Sequence, residues 1–392
     1  MLRSLFSGIS GLRSHQTMLD VTGNNIANVN TTGFKSSQTI FQDTLSQVLT
    51  NAGGAQDGVG GTNPAQVGLG VQVAGIVTSF TQGASQTTGR STDMMIQGDG
   101  FFVVRKGAET FYTRAGAFDF DATGQMVLPG DGALVQGWAA VNGVVDTNAP
   151  LTDLSVPAGT TMAAVASTSA TYVGNLDASA EDGTTKTLTQ KLYDEIGTER
   201  TLTLTFTKAS TGWTVAATDG TATVGSQPVA FDANGALTSP TTITLGGVAV
   251  DLSTVTGYSG LDTVAAGSQD GQAAGTLLSF ALGADGTITG AFSNGLKQTI
   301  GRIALGTFTN PGGLEKAGGS LFRTSVNSGD AQIGTAGTGG RGALAGGRLE
   351  MSNVDLSSEF TNLIVAQRGF QANSRIITTS DEVLNELVNL KR

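Results

Sequence analysis

The chain is 392 residues long, enough for two or three domains with sizeable cores. Its 57 glycines, abundant threonine and serine, 7 prolines and 13 % charged residues fit short strands and turns, while a hydrophobic content of 39 % excludes wholesale disorder. The formal charge of −10 is unevenly placed: residues 1–35 carry three basic and one acidic side chain and residues 357–392 four of each, which leaves 14 basic and 26 acidic between them, a net of −12. An acidic middle argues against nucleic acid or an anionic membrane as partner, because both need a basic face. There is no cysteine, which removes disulfides, thiol catalysis and thiolate metal sites together.

Residues 2–26 read as an amphipathic helix. Leu5, Leu12, Leu19 and Ile26 recur at intervals of seven with Leu2 and Ile9 beside them, and Arg3, Ser7, Ser10, Arg13, Ser14 and Gln16 fall largely on the polar side. Met1 to Leu19 is interrupted by polar residues every second or third place and has no small-residue cleavage site, so it is not read as a secretory signal. No run of 18 apolar residues offers a membrane span. The helix runs into an Asn- and Gly-rich stretch in which Asn24, Asn25, Asn28, Asn30 and Gly33 favour turns, so a stop or hinge is expected there. Phe34, Phe41 and Val48 suggest a second short amphipathic piece, and residues 51–70 are Gly-rich and aperiodic, so 31–70 as a whole is expected to be hinge and linker.

Near Val71 the period shifts towards two. The run Gly98-Asp99-Gly100 leads into a buried-looking strand at Phe101 to Val104, and Phe111 to Arg114 and Leu134 to Trp138 continue as strands between Asp- and Gly-containing turns. A second β block follows the Asn148-Ala149-Pro150 break. Its clearest element is Thr201 to Thr207, in strict alternation, hairpinned to Trp213 to Ala217. The block closes near Ala284-Asp285-Gly286, Ile300 to Phe308 reads as a returning strand, and 334–347 as a glycine-rich loop.

The last forty residues restore the long period: Leu356, Leu363, Phe370, Ile377 and Leu384 recur at seven, with Ala366, Val383, Leu387, Val388 and Leu390 on adjoining positions. Two heptad helices at opposite ends of one chain predict a pair. The expected fold is therefore α+β, multidomain and elongated: terminal helices at 1–30 and 351–392 paired as in a coiled coil, an inner, mainly antiparallel β domain from 71–147 and 287–350, and an outer β domain, 148–286, inserted in it. Helices of 25 to 35 residues span roughly 40 to 50 Å, far more than a cover for such a domain needs. A lone pair leaves apolar flanks in water, which suggests a chain that polymerises through its ends.

Catalytic, cofactor and metal sites are not found. The one histidine, His15, reads as a helix-surface or interface residue, since no second histidine can complete a relay or metal site. The clusters 119–124, 232–235 and 285–286 mimic the start of calcium loops but lack the bidentate Glu at the twelfth position, and turn chemistry explains them. The loop 334–347 lacks the Gly-Lys-Ser/Thr ending of a phosphate cradle. An enzyme or carbohydrate-binding module on a helical stalk is the competing class, with Trp138, Trp213 and Tyr258 as candidate stacking residues, although both tryptophans lie in strand-like patterns that favour core packing.

Residues 24–35, Asn-Asn-Ile-Ala-Asn-Val-Asn-Thr-Thr-Gly-Phe-Lys, resemble the signature of the bacterial flagellar rod and hook family, and Gln367 to Ser374 resembles its C-terminal counterpart. Gln97 to Phe102, Thr113 to Gly116, Asn310 to Leu314 and Leu349 to Asp355 are similar to further family motifs, in order along the chain. Rod members are considerably shorter, so the long inserted segment points to a hook-type member, with a distal rod protein carrying an insertion as the alternative. The resemblance implies a structural, non-enzymatic subunit without cofactors. It also implies export through the flagellar type III apparatus without a cleaved signal peptide, and assembly under the hook cap into a flexible hollow tube outside the cell. Such a tube joins the distal rod to the hook-filament junction proteins and transmits torque, with neither nucleic acid nor membrane insertion involved. The expected assembly interface is Leu5, Leu12, Leu19, Ile26, Leu356, Leu363, Phe370, Ile377 and Leu384; the expected hinge is Asn24, Asn25, Asn28, Asn30 and Gly33.

Overall fold

The computed structural model describes residues 2–54, 57–58, 60–157, 159–220 and 222–389. Two compact units emerge. One contains residues 1–157, 281–289 and 299–392, the other 158–280 and 290–298.

In the first unit the two ends of the chain are helices, α1 (Leu2–Ala27) and α2 (Leu356–Asn389). Asp355 caps α2 by accepting the Ser357 amide at 2.9 Å, and Glu359 in the first turn suits the positive end of the helix dipole. The helices run antiparallel: Asn25 meets Glu359, His15 lies on Gly369, Gly11 on Asn373 and Gly8 on Ile377. Leu390 and the side chain of Leu2 lie outside the described residues.

Residues 34–48 are not a helical piece. They enter β1 (Ser37–Asp43) and β2 (Ser46–Thr50), and the segment expected as linker folds back through β3 (Ala65–Gly68) and β4 (Val71–Thr78). β1 pairs with β4 and β2 with β3, both antiparallel, so the spacing of Phe34, Phe41 and Val48 has no helical meaning. Gln, Thr and Val dominate these segments, and strand pairing satisfies their backbone groups where an isolated short helix would be marginal.

The main sheet of this unit is assembled from both limbs of the chain. Strand Phe101–Lys106 pairs with Glu109–Thr113 and with Lys297–Thr307, and Glu109–Thr113 pairs with Leu321–Arg323. The glycine-rich 334–347 stretch is partly strand as well, since Ala343–Gly346 pairs with Met94–Gln97, and Arg348–Glu350 then pairs with Ser85–Thr87. Under the sheet, Phe101, Tyr112, Phe308 and Phe322 pack edge to face with centroids 4.8 to 5.9 Å apart, beside the buried Trp138.

The second unit carries a five-stranded antiparallel meander, from Thr185–Tyr193 through Glu199–Ala209, Gly212–Asp219 and Ala222–Phe231 to Leu237–Ser239. Leu202, Leu204 and Phe206 are buried and the threonines between them are not, as the alternation requires. A four-stranded sheet beside it contains one parallel pair, Ser169–Asn175 with Val248–Thr256, in an otherwise antiparallel unit. The two sheets share one core around Tyr172, Leu204, Phe206, Trp213 and Leu252. The unit begins at 158 rather than at 148, because Thr152–Asp153 still pairs with Gln136 and Gly137 and Leu154 is buried in the first unit.

Candidate assembly site

The helix pair is in closest contact at small residues, with the stripe residue Ile377 reaching Gly8 across it. Gly8, Gly11, Ser14, Thr22 and Asn25 are the buried positions described on α1, and Ala366 is the buried one on α2. The large apolar side chains flank these positions and are only partly covered. Leu5, Leu12, Leu19, Ile26, Leu363, Ile377 and Leu384 are half-buried, and Leu356 and Phe370 are exposed at 40 and 37 %. Beyond them, Phe360, Ile364, Val365, Ile376, Val383, Leu387 and Val388 are 44 to 69 % exposed. The single repeat of seven passes over Phe360, Ile364, Val365 and Ile376; the i, i+4 recurrence of apolar residues at 356, 360 and 364 is the signal that finds the first two. A groove of about 420 Å³ opens between the helices, lined by Ser4, Arg375, Ile376, Thr379, Ser380 and Val383.

At the other end of the pair, the expected hinge is a joint with fixed partners. Asn25 behaves like a strand residue: its side-chain Nδ2 donates to the Ser37 carbonyl at 2.7 Å and to Glu359 at 2.9 Å, and its Oδ1 accepts the Ser37 amide at 3.0 Å. Asn28 closes the helix onto the Asn24 carbonyl, while Asn24 and Asn30 are exposed. Gly33 has φ +67°, and a Cβ there would lie 2.4 Å from the Ala115 nitrogen; its amide donates to the Glu350 carbonyl at 2.8 Å. Asn-rich sequence favours turns because its side chains bond the backbone, and here that capacity is used on partners distant in sequence.

Next to Gly33, Lys35 is fully buried and donates to Glu350 at 2.6 Å and to the Thr81 carbonyl at 2.7 Å. Glu350 also accepts the Gly83 amide at 2.9 Å and faces Arg114 at 3.5 Å. Burial lowers the pKa of Lys35 from its ordinary value against the opposing pull of Glu350, and burial likewise lowers that of Arg114. Asn353 completes the joint, accepting the Ser36 amide at 2.8 Å and donating to the Ser79 carbonyl at 2.9 Å. Residues from three of the sequence motifs, 24–35, 113–116 and 349–355, thus meet in one place.

The remaining candidates resolve simply. Asp121, Asp232 and Asp285 each accept backbone amides two residues on, at 2.8 to 3.2 Å, which is turn chemistry. Trp138 and Trp213 are buried, and Trp138 donates to the Ala149 carbonyl, so neither presents a face to a sugar; Tyr258 is exposed. Among the described residues no group of three or more His, Cys, Asp or Glu is placed to hold a metal, and no helix is long and apolar enough to cross a membrane.

Three family models match this architecture in order: "Flagella basal body rod protein" over residues 5–35, "Flagellar hook protein FlgE/F/G D1 domain" over 95–170, and "Flagellar basal body rod FlgEFG protein C-terminal" over 345–390. They define the class, an axial structural protein of the bacterial flagellum. The chain is 41 % identical to the flagellar hook protein FlgE of Treponema pallidum and 40 % identical to that of Borreliella burgdorferi, in each case over the whole of both chains. The flagellar basal-body rod protein FlgG of Bacillus subtilis is 36 % identical, also over the whole of both. The chain belongs to the flagellar hook protein family. A crystal structure of Helicobacter pylori flagellar hook protein FlgE2 shares the fold, with a TM-score of 0.53 at 17 % identity over 68 % of this chain and all of that one.

Proposed function

We propose that this chain is the structural subunit of the flagellar hook and that copies of it associate through the open apolar face of the terminal helices. The observation that carries the reading is that α2 exposes apolar residues on both flanks of the half-covered stripe at Leu363, Ile377 and Leu384: Phe360 and Ile364 on one side, Ile376, Val383 and Leu387 on the other. A face of that kind on a helix pair is covered by neighbours in a stable state. Contacts between unlike surfaces of successive copies grow a helical polymer wherever the rotation between copies does not close a ring. In that polymer the helices form the inner wall of a hollow tube and the acidic β units lie outside. The tube stands outside the cell after type III export, between the distal rod and the hook-filament junction proteins, and grows beneath the hook cap.

The test is substitution of the open face. Ile364→Asp and Val383→Asp are expected to leave the monomer's unfolding curve within about 0.5 kcal/mol of the parent, as for solvent-exposed positions, and to abolish tubes seen by electron microscopy. Normal tubes from both variants would show that another surface carries assembly. The distal-rod alternative draws on the full-length similarity to FlgG; labelled protein in the rod rather than the hook of isolated basal bodies would support it.

A further inference from the structure

Repeats of seven specify that two helices pair, but not how far along each other they sit. Sliding α2 by one heptad brings each stripe residue opposite the position one repeat away, so the apolar stripes cannot distinguish registers. What does not repeat is the buried seam. A Cβ added at Gly369 would lie 2.5 Å from His15 Cε1 and 2.6 Å from its Nε2. A Cβ at Gly11 would lie 2.6 Å from Asn373 Oδ1. Each wide polar side chain of one helix therefore sits over a glycine of the other, once in each direction.

Neither side chain is free to swing away. Asn373 donates to the Gly369 carbonyl of its own helix at 2.8 Å, and the His15 ring is held on its other side by Phe41, 5.7 Å between centroids. A shift of one heptad would put His15 opposite Asn362 or Ile376, and Asn373 opposite Ser4 or Met18. Neither glycine is then under a wide side chain, and Asn25 loses Glu359. We propose that the His15–Gly369 and Asn373–Gly11 contacts are the register key of the terminal helix pair, selecting one alignment from several that the leucine stripes permit. On the reading that the open face is the assembly surface, the key also decides which apolar residues that face presents and how much of α2 extends beyond the start of α1.

The absence of cysteine from the sequence makes the test clean. Ser4 and Ser380 line the same groove. In the full chain, held dilute and monomeric, Ser4→Cys with Ser380→Cys is expected to be bridged rapidly by a short bismaleimide, and Ser4→Cys with Leu387→Cys, one heptad away, is not. Adding Gly369→Val or Gly11→Val should slow the first bridge by about tenfold or more. His15→Ala should restore the first variant and Asn373→Ala the second. An unchanged bridge in both valine variants overturns the proposal, as does a loss that the alanine partners fail to rescue, which would reflect general damage to the helices. The Val383→Asp chain separates the two readings. Retained bridging with lost tubes supports both; retained bridging with normal tubes, if Ile364→Asp also gives normal tubes, removes the assembly surface and leaves the key standing.

Discussion

Glu350 is the residue on which two buried cations depend. Removing it leaves Lys35 without its carboxylate and Arg114 with only the Gly98 carbonyl and the field of Asp99, whereas removing Lys35 leaves Glu350 still facing Arg114 and the Gly83 amide. Glu350→Leu is therefore expected to destabilise the first unit by about 3–5 kcal/mol, the range for a broken buried pair, and Lys35→Met by less; denaturant unfolding of the monomer measures both. The pH dependence has a definite sign. Because burial lowers the Lys35 pKa below 10.5, the unfolded chain binds more protons between the folded value and 10.5. The cost is present in full below that window, and stability recovers as pH rises through it. Glu350→Gln removes the opposing attraction and deepens the shift, so the gain in stability as pH rises towards 10.5 should exceed that of the parent chain. The motifs around these residues stand out in the sequence, but their purpose does not. Lys35 and Glu350 are separated by most of the chain, and a composition rich in turn-forming residues reads as a hinge when the long-range partners of Asn25 and Gly33 are unseen.

Elements were legible where one period dominated. Strand 199–209 shows its alternation because one face meets a core and the other does not. Both terminal helices show their heptads because nothing else competes for the repeat. The stretch from Phe34 to Val48 was misread for the opposite reason: three apolar residues at sevens fit a helix, while the strand pairing of β1 with β4 depends on residues some thirty positions away. The helix seam was hidden as well, since Gly8, Gly11 and Gly369 look like weak points until the side chains above them are known. The β2–β3 hairpin supports a further prediction. All described residues of both strands are exposed. Replacing residues 46–68 by a short turn between Leu45 and Leu69 should thus cost the monomer no more than about 1 kcal/mol, within the range of surface changes, as read from its denaturation midpoint.

At the scale of the molecule, the two units hold separate cores. The core around Tyr172, Leu204 and Trp213 lies within 158–280. The fragment 158–280, which contains that whole core, is therefore expected to fold alone, with a cooperative transition by circular dichroism; a non-cooperative melt would show that it borrows stability from the rest. The second unit interrupts the first in sequence, and the matching heptads at the two ends of the chain are the feature of the sequence that points to such an order. The boundary was not legible, because the Asn148-Ala149-Pro150 break is a turn inside the first unit and not the exit from it.

The two limbs of the chain close on each other through strands 85–87 with 348–350, 94–97 with 343–346 and 101–106 with 297–307. What lies between 157 and 281 is consequently a side branch, hung on a ring that is already shut. Its length can therefore change without breaking the strand pairs that close the two limbs. For an engineer the same topology marks a grafting point: a foreign domain spliced into that branch is carried as cargo, while the ring and the helices keep their own fold.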